Sequence, residues 1–238
     1  MNEFDHRVIG DVRIVALSRH GGASRGYFES LNVASYVGDD PQDVARNIES
    51  AGKLVGVSDV AVMNAAHSAI VHVIDGPGLC QDGDALITTQ RNLGLLALSA
   101  DCVTVALVDT AGPAIAVVHA GWRGVLSHVV VAAVNGMVEG GAQTSNIKAV
   151  VGPSICANCY EVSAELVNQF RFECEQAVHD DRHLNLANGV FAQLSECEIS
   201  SEVMTGCTFE NDDLFSYRRA GGLPTGRGGL IVARTESS

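Results

Sequence analysis

The sequence predicts a mixed α/β enzyme fold in a single domain over residues 1–238, and three observations predict it. Short apolar β-like runs recur between turn signals, stretches of helical periodicity lie between some of them, and glycine is plentiful at 25 residues. Such a glycine content serves tight turns and close backbone approaches. At 238 residues, 47% of them apolar and 18% charged, the chain can bury one sizeable core.

Charge narrows the function classes. A formal net charge of -13 lacks the footprint of a general nucleic-acid or anionic-membrane binder, while leaving room for a local basic pocket that takes a phosphate. The longest apolar stretch, residues 93–108, is broken by Asp101 and reads as core strands, not a membrane span. Seven cysteines, an odd number without framework spacing, together with no leader-like start, set the expectation of reduced thiols and a cytoplasmic protein.

In chain order, residues 8–17 read as a strand leading into a turn-rich loop from Arg19 to Gly26. Its glycines allow amide groups and Arg19 to approach a ligand, although a hairpin turn with a solvated arginine is the simpler reading. Asp39, Asp40 and Pro41 make a helix start, and Val44, Ile48, Ala51, Leu54 and Val55 follow at helical spacing. Residues 60–63 and 69–74 are short strands flanking His67; turns at residues 76–78 and 82–83 precede an extended piece over 84–88. Asp84 and Asp101 sit where either could orient a histidine or a substrate hydroxyl, or cap a turn. A helix over residues 125–138, beginning near Trp122, would aim its first amides and Arg123 at an anion; Arg123 packed on Trp122 is the structural alternative. Residues 147–151 are a buried strand, 184–194 a helix and 203–209 a strand, with a frayed tail over 235–238. Cys156 and Cys159 form a Cys-x-x-Cys with no second such pair and no matching histidine pair, which speaks against a structural four-ligand zinc, and Cys156 receives no role. Arg218, Arg219 and Arg227 form a basic cluster that would bind phosphate, a partner subunit or the chain's own carboxylates.

The chemistry centres on Cys102 and His119. Residues 103–108 and 114–118 are apolar runs joined by Ala111-Gly112-Pro113, the pattern of a hairpin, so the residue entering the first run and the residue leaving the second emerge at the same end of the sheet. A close Cys and His serve either as a thiolate-imidazolium nucleophile pair or as two ligands of a transition metal, for which His67 offers a third. Buried cysteines and structurally satisfied histidines are the ordinary alternative.

Ala100-Asp101-Cys102, the six residues His119-Ala120-Gly121-Trp122-Arg123-Gly124, and Gly152-Pro153-Ser154-Ile155 running to Cys159-Tyr160-Glu161-Val162 together resemble the laccase-domain or polyphenol-oxidase-like family. This family is also called YfiH-like, and its members include zinc-dependent purine nucleoside phosphorylases. The resemblance spans nearly the whole chain, from Ser18-Arg19-His20-Gly21-Gly22 and Ser30-Leu31-Asn32 to Phe215-Ser216-Tyr217-Arg218-Arg219 and Thr225-Gly226-Arg227. It implies layered mixed β-sheets flanked by helices, with a site at strand ends. Carried over by position, the metal ligands fall on His67, Cys102 and His119. His67 keeps its register before a β-like run, whereas the neighbouring His72 sits within one, and the family's usual Gln-Val-His-Gly reads Ala65-Ala66-His67-Ser68 here.

The resemblance further implies substrate contacts at Arg19, Asn32, Arg123 and Tyr160, with purine nucleosides and phosphate as partners. The implied activity is phosphorolysis of adenosine, inosine, guanosine or methylthioadenosine, with deamination of adenosine beside it, in a monomer or homodimer. Zinc with an open coordination position rationalises attack at the purine C6, since it lowers the pKa of bound water. Copper fits less well, because a multicopper relay wants more paired histidines than the 8 present. Other readings are a hydrolase editing peptidoglycan precursors through Cys102 and His119, and a non-catalytic binding protein. A nucleobase deaminase of the His-x-Glu type is disfavoured, because Ser68 and Ala69 follow His67 and Pro153 does not directly precede Cys156.

Overall fold

A computed structural model of the chain, describing residues 3–236, turns the apolar runs into strands of two six-stranded mixed sheets. β1 (Glu3–Ile9) and β2 (Val12–Leu17) pair as a hairpin about Gly10 (φ 60°), so the run expected over residues 8–17 contains a turn. The first helix lies where predicted: α1 (Pro41–Leu54) starts on Asp40, whose carboxylate accepts from the Gln42 amide at 2.8 Å, with Pro41 in the first turn. β3 (Asp59–Asn64) and β4 (Val71–Val73) flank His67, but they belong to different sheets.

β5 (Gly78–Asp82) occupies the stretch read as turns, followed by β6 (Ala85–Thr88), β7 (Leu93–Ser99), β8 (Val103–Asp109) and β9 (Ile115–Ala120). The helix expected over 125–138 is two, α2 (Trp122–Leu126) and α3 (Val129–Glu139), because His128 adopts a left-handed backbone (φ 56°) that ends one and caps the next. After β10 (Ile147–Val151) comes α4 (Ala164–Glu173), which sequence reading missed although Ser163 caps it through the Leu166 amide. α5 (Leu186–Glu196) begins two residues later than expected, at the Asn185 cap. The strand expected over 203–209 lies earlier, at β11 (Ser200–Val203). α6 (Tyr217–Ala220) and β12 (Gly228–Arg234) complete the chain. Of the tail predicted to fray, Thr235 is hydrogen-bonded to Asp11 and to Arg91, and residues 237–238 lie outside the described residues.

One sheet has the order β1-β2-β12-β7-β3-β5 and the other β11-β10-β8-β9-β6-β4. They pack face to face through alternate residues: Ile14, Leu95, Ala97, Leu230 and Val232 from the first meet Ala106, Val108, Ile115 and Val117 from the second. The opposite face of the second sheet buries Val105, Leu107, Ala116 and Val118 under α3 and α5, and α1 covers the outer face of the first through Ala51. Strands covered on both faces gain from apolar residues at nearly every position, which explains the near-continuous hydrophobic runs of β7, β8 and β9, interrupted at Thr104 and His119. The layer order is helix, sheet, sheet, helices, an instance of the layered sheets flanked by helices that the family resemblance implied.

Candidate active site

β8 and β9 pair antiparallel with Val103 opposite Ala120 and Thr104 opposite His119, so Cys102 and His119 emerge at one end of the second sheet. The link from β3 to β4, crossing between sheets, brings His67 to the same place. One ligand atom from each of His67, Cys102 and His119 lies within 4.8 Å of the others, and the two imidazoles meet edge to face at 5.1 Å. Asp84, fully buried, holds this arrangement. Its carboxylate accepts from the amides of Ala66, His67 and Ser68 and from the Ser68 hydroxyl, and its Oδ1 hydrogen-bonds His119 Nδ1 at 2.9 Å. His119 therefore presents its other ring nitrogen to the site. His67 and Asp101 both carry left-handed backbone (φ 57° and 110°), strain held in place on the two loops that deliver the triad. His72 is elsewhere, with Nε2 on the Asp82 carbonyl at 2.9 Å.

Electrostatics favours an ion pair in this group of side chains. Burial opposes ionisation of the Cys102 thiol, but the charge and hydrogen bonds of His119 and His67 outweigh it and lower the thiol to about 6. Burial likewise opposes charge on His119, yet Cys102 and Asp84 raise it to about 10. Gly121 is the cradle: a Cβ there would stand 3.0 Å from His67 Cδ2 and 3.1 Å from Cys102 Sγ. Two imidazoles and a thiolate with a carboxylate behind one imidazole are a donor set suited to zinc, so the residues fit that metal.

The triad lines a cavity of about 560 Å³, within the ordinary size range of small-molecule sites. Guanidinium groups lie on aromatic rings around it: Arg123 on Trp122 at 4.0 Å, Arg218 on Tyr160 at 5.2 Å and Arg227 on Tyr217 at 5.4 Å. Among the described residues, none of these three arginines is in a salt bridge. Burial and the nearby Cys102 push the Tyr160 hydroxyl up to about 12, which keeps it a proton donor.

Of the residues expected to face substrate, Arg123 and Tyr160 line the cavity, while Arg19 and Asn32 do not. Arg19 donates to the Glu29 carbonyl and lies on Phe215. Asn32 is fully buried and bonds Asp39, Ala34 and the Arg227 amide, so it acts as a bracket behind Arg227. Asp101 is a bracket too, accepting from the Thr208 hydroxyl and the Arg218 amide at 2.7 Å each. Within the basic cluster, Arg218 and Arg227 reach the cavity, whereas Arg219 is spent on the carbonyls of Thr208, Phe209, Asn211 and Leu214. Tyr36 and Tyr217 also line the cavity and were not expected; solitary tyrosines in turn-rich sequence carry no periodic signal.

The Cys-x-x-Cys has neighbours that its spacing along the chain does not reveal. Cys156 and Cys159 do have partners, because Cys207 and Glu210 fold against them, with one ligand atom from each of the four within 4.8 Å of the others. Cys159 and Cys207 lie too far apart along the chain to read as a ligand spacing. A parallel bridge between Ser154 and Cys207 makes the meeting, and it is tertiary. Burial and the adjacent Cys156 and Cys207 sulfurs push the Cys159 thiol far above its usual range.

Comparison with known proteins places the chain in a family. Residues 13–235 match the family model described as multi-copper polyphenol oxidoreductase laccase. A purine nucleoside phosphorylase of Streptomyces coelicolor is 39% identical over 212 residues, covering 84% of this chain and 87% of that protein. One from Corynebacterium glutamicum is 36% identical over 232 residues, covering 93% and 94%. An adenosine deaminase from an unknown prokaryotic organism is 35% identical over 159 residues, covering 62% and 61%. Among solved structures, a Neisseria meningitidis protein superposes with a TM-score of 0.86 at 29% identity, covering 99% of this chain and 100% of that one.

Proposed function

The chain belongs to the laccase-like polyphenol oxidoreductase family, and from that premise we propose that it is a zinc-dependent purine nucleoside phosphorylase that also deaminates adenosine. The observation that carries this reading is the meeting of the His67, Cys102 and His119 group with a ring of arginines on aromatic residues, in a chain of net charge -13. Cations concentrated at one cavity of an acidic protein mark an anion site. His67, Cys102 and His119 would hold the zinc, which supplies a Lewis acid beside the substrate.

The chain's own residues account for the rest. Arg123, Arg218 and Arg227 bind phosphate, and their aromatic supports fix their directions at low entropic cost. Ring surface from Tyr36, Trp122 and Tyr217, with Leu98, supplies the apolar lining that a purine needs. Tyr160, protonated at neutral pH, donates a hydrogen bond to a substrate oxygen. Asp84 keeps His119 in one orientation while substrate exchanges.

Chromatography of adenosine and inosine incubated with the purified protein, with and without phosphate and beside Cys102→Ala, tests this. Phosphate-dependent release of free base that the variant loses is expected, with inosine formed from adenosine; no turnover in either condition overturns it. A second reading rests on the ionised Cys102 beside His119, the pair a thiol hydrolase of peptidoglycan precursors would use. Hydrolysis that survives a chelator and fails on alkylation of Cys102 would favour it over the zinc enzyme.

A further inference from the structure

We propose that Cys156, Cys159, Cys207 and Glu210 form a second, structural zinc site, distinct from the triad, that fastens one wall of the cavity. Three sulfurs and one carboxylate are a tetrahedral zinc donor set. Zinc-sulfur bonds of about 2.3 Å place tetrahedral sulfurs about 3.8 Å apart, and a sulfur and a carboxylate oxygen about 3.6 Å apart. The four ligand atoms already lie within 4.8 Å of one another, and Cys159 Sγ is 3.5 Å from Glu210 Oε1. Small side-chain rotations are all that remains.

The backbone is prepared as well. Cys156 to Cys159 is wound into a tight turn, with the amides of Cys159 and Tyr160 both donating to the Cys156 carbonyl at 3.1 Å. Cys207 Sγ accepts the Cys156 amide at 3.3 Å, the kind of hydrogen bond that steadies a ligating thiolate. The two segments are joined by the bridge between Ser154 and Cys207 and by the Thr208 amide on the Ser154 carbonyl at 3.1 Å. The site's position gives it a purpose. Tyr160 follows Cys159 directly, Thr208 bonds Asp101, and Arg218 reaches the Cys159 carbonyl at 3.4 Å, so a metal here would lock Tyr160 and Arg218 against the loop that carries Cys102.

Zinc content measured by mass spectrometry on the full chain, purified under reductant and desalted, tests the proposal. About two zinc ions per chain are expected for the wild type and about one each for Cys102→Ala and for Cys156→Ser with Cys207→Ser. Cobalt(II) loaded into Cys102→Ala should show intense sulfur-to-metal charge transfer, which is lost when Cys156→Ser and Cys207→Ser are added to Cys102→Ala. Glu210→Ala in the Cys102→Ala background, altered at an exposed side chain, should keep its circular dichroism and lower cobalt affinity at least tenfold. A Cys102→Ala chain that binds neither zinc nor cobalt, a double serine variant with wild-type zinc, or unchanged affinity in Glu210→Ala overturns the site.

Discussion

Asp84 is the residue on which the triad's geometry turns. It orients His119 from behind and, through the amides of Ala66, His67 and Ser68, holds the loop that carries His67. Replacing it with Asn keeps the shape and removes the charge, so zinc affinity at the triad should fall about 10- to 100-fold, as chelator competition would read. The pH dependence follows from where the protons sit. Between about pH 6 and about pH 10 the metal-free group holds its proton on His119, with Cys102 ionised. A metal must displace that proton, so affinity should rise about tenfold per pH unit across this window, with about one proton released per ion. Calorimetry in buffers of different ionisation enthalpy, on Cys207→Ser so that the triad dominates, measures it. The same pair leaves stability nearly level. Cys102, lowered from 9.0 to about 6, adds stability as pH rises between those values, and His119, raised from 6.5 to about 10, removes it over its own span, so the two offset where the spans overlap.

At the scale of elements, glycines mark where strands and helices approach too closely for a side chain. Gly121 lies between β9 and α2 with an ordinary φ of -73°, so alanine there meets no backbone penalty, only His67 and Cys102. Gly121→Ala should therefore weaken zinc binding while the melting temperature of the metal-free chain barely moves. Gly229 in β12 is the opposite case. Its φ is 144°, and a Cβ would stand 1.9 Å from the Ala97 carbonyl oxygen of β7, at the centre of the first sheet. Gly229→Ala should cost at least about 3 kcal/mol by urea denaturation, from backbone strain and overpacking together.

At the scale of the whole molecule, the layered fold sets a small cationic cavity into an acidic body. Each of Arg123, Arg218 and Arg227 that contacts phosphate should contribute about 1.5 to 3 kcal/mol, the range for hydrogen bonds to charged groups. Arg227→Gln is accordingly expected to raise the KM for phosphate about tenfold or more while changing that for the nucleoside far less, as initial-rate kinetics with either substrate varied would show.

Local sequence determined much of this protein. The apolar runs of β7, β8 and β9, the capped start of α1 and the hairpin that joins Cys102 to His119 depend on neighbours a few residues away, and each could be read from pattern and turn chemistry. What only the tertiary structure decided depends on segments distant in the chain. Glycine-rich β12 is a central strand because β2 and β7 flank it, and Arg218 serves the cavity while adjacent Arg219 serves carbonyls because α6 turns them apart. Cys207 and Glu210 join Cys156 and Cys159 across the fold, a partnership that spacing along the chain does not encode, since side-chain proximity there is set by the packing of loops and not by any period of helix or strand.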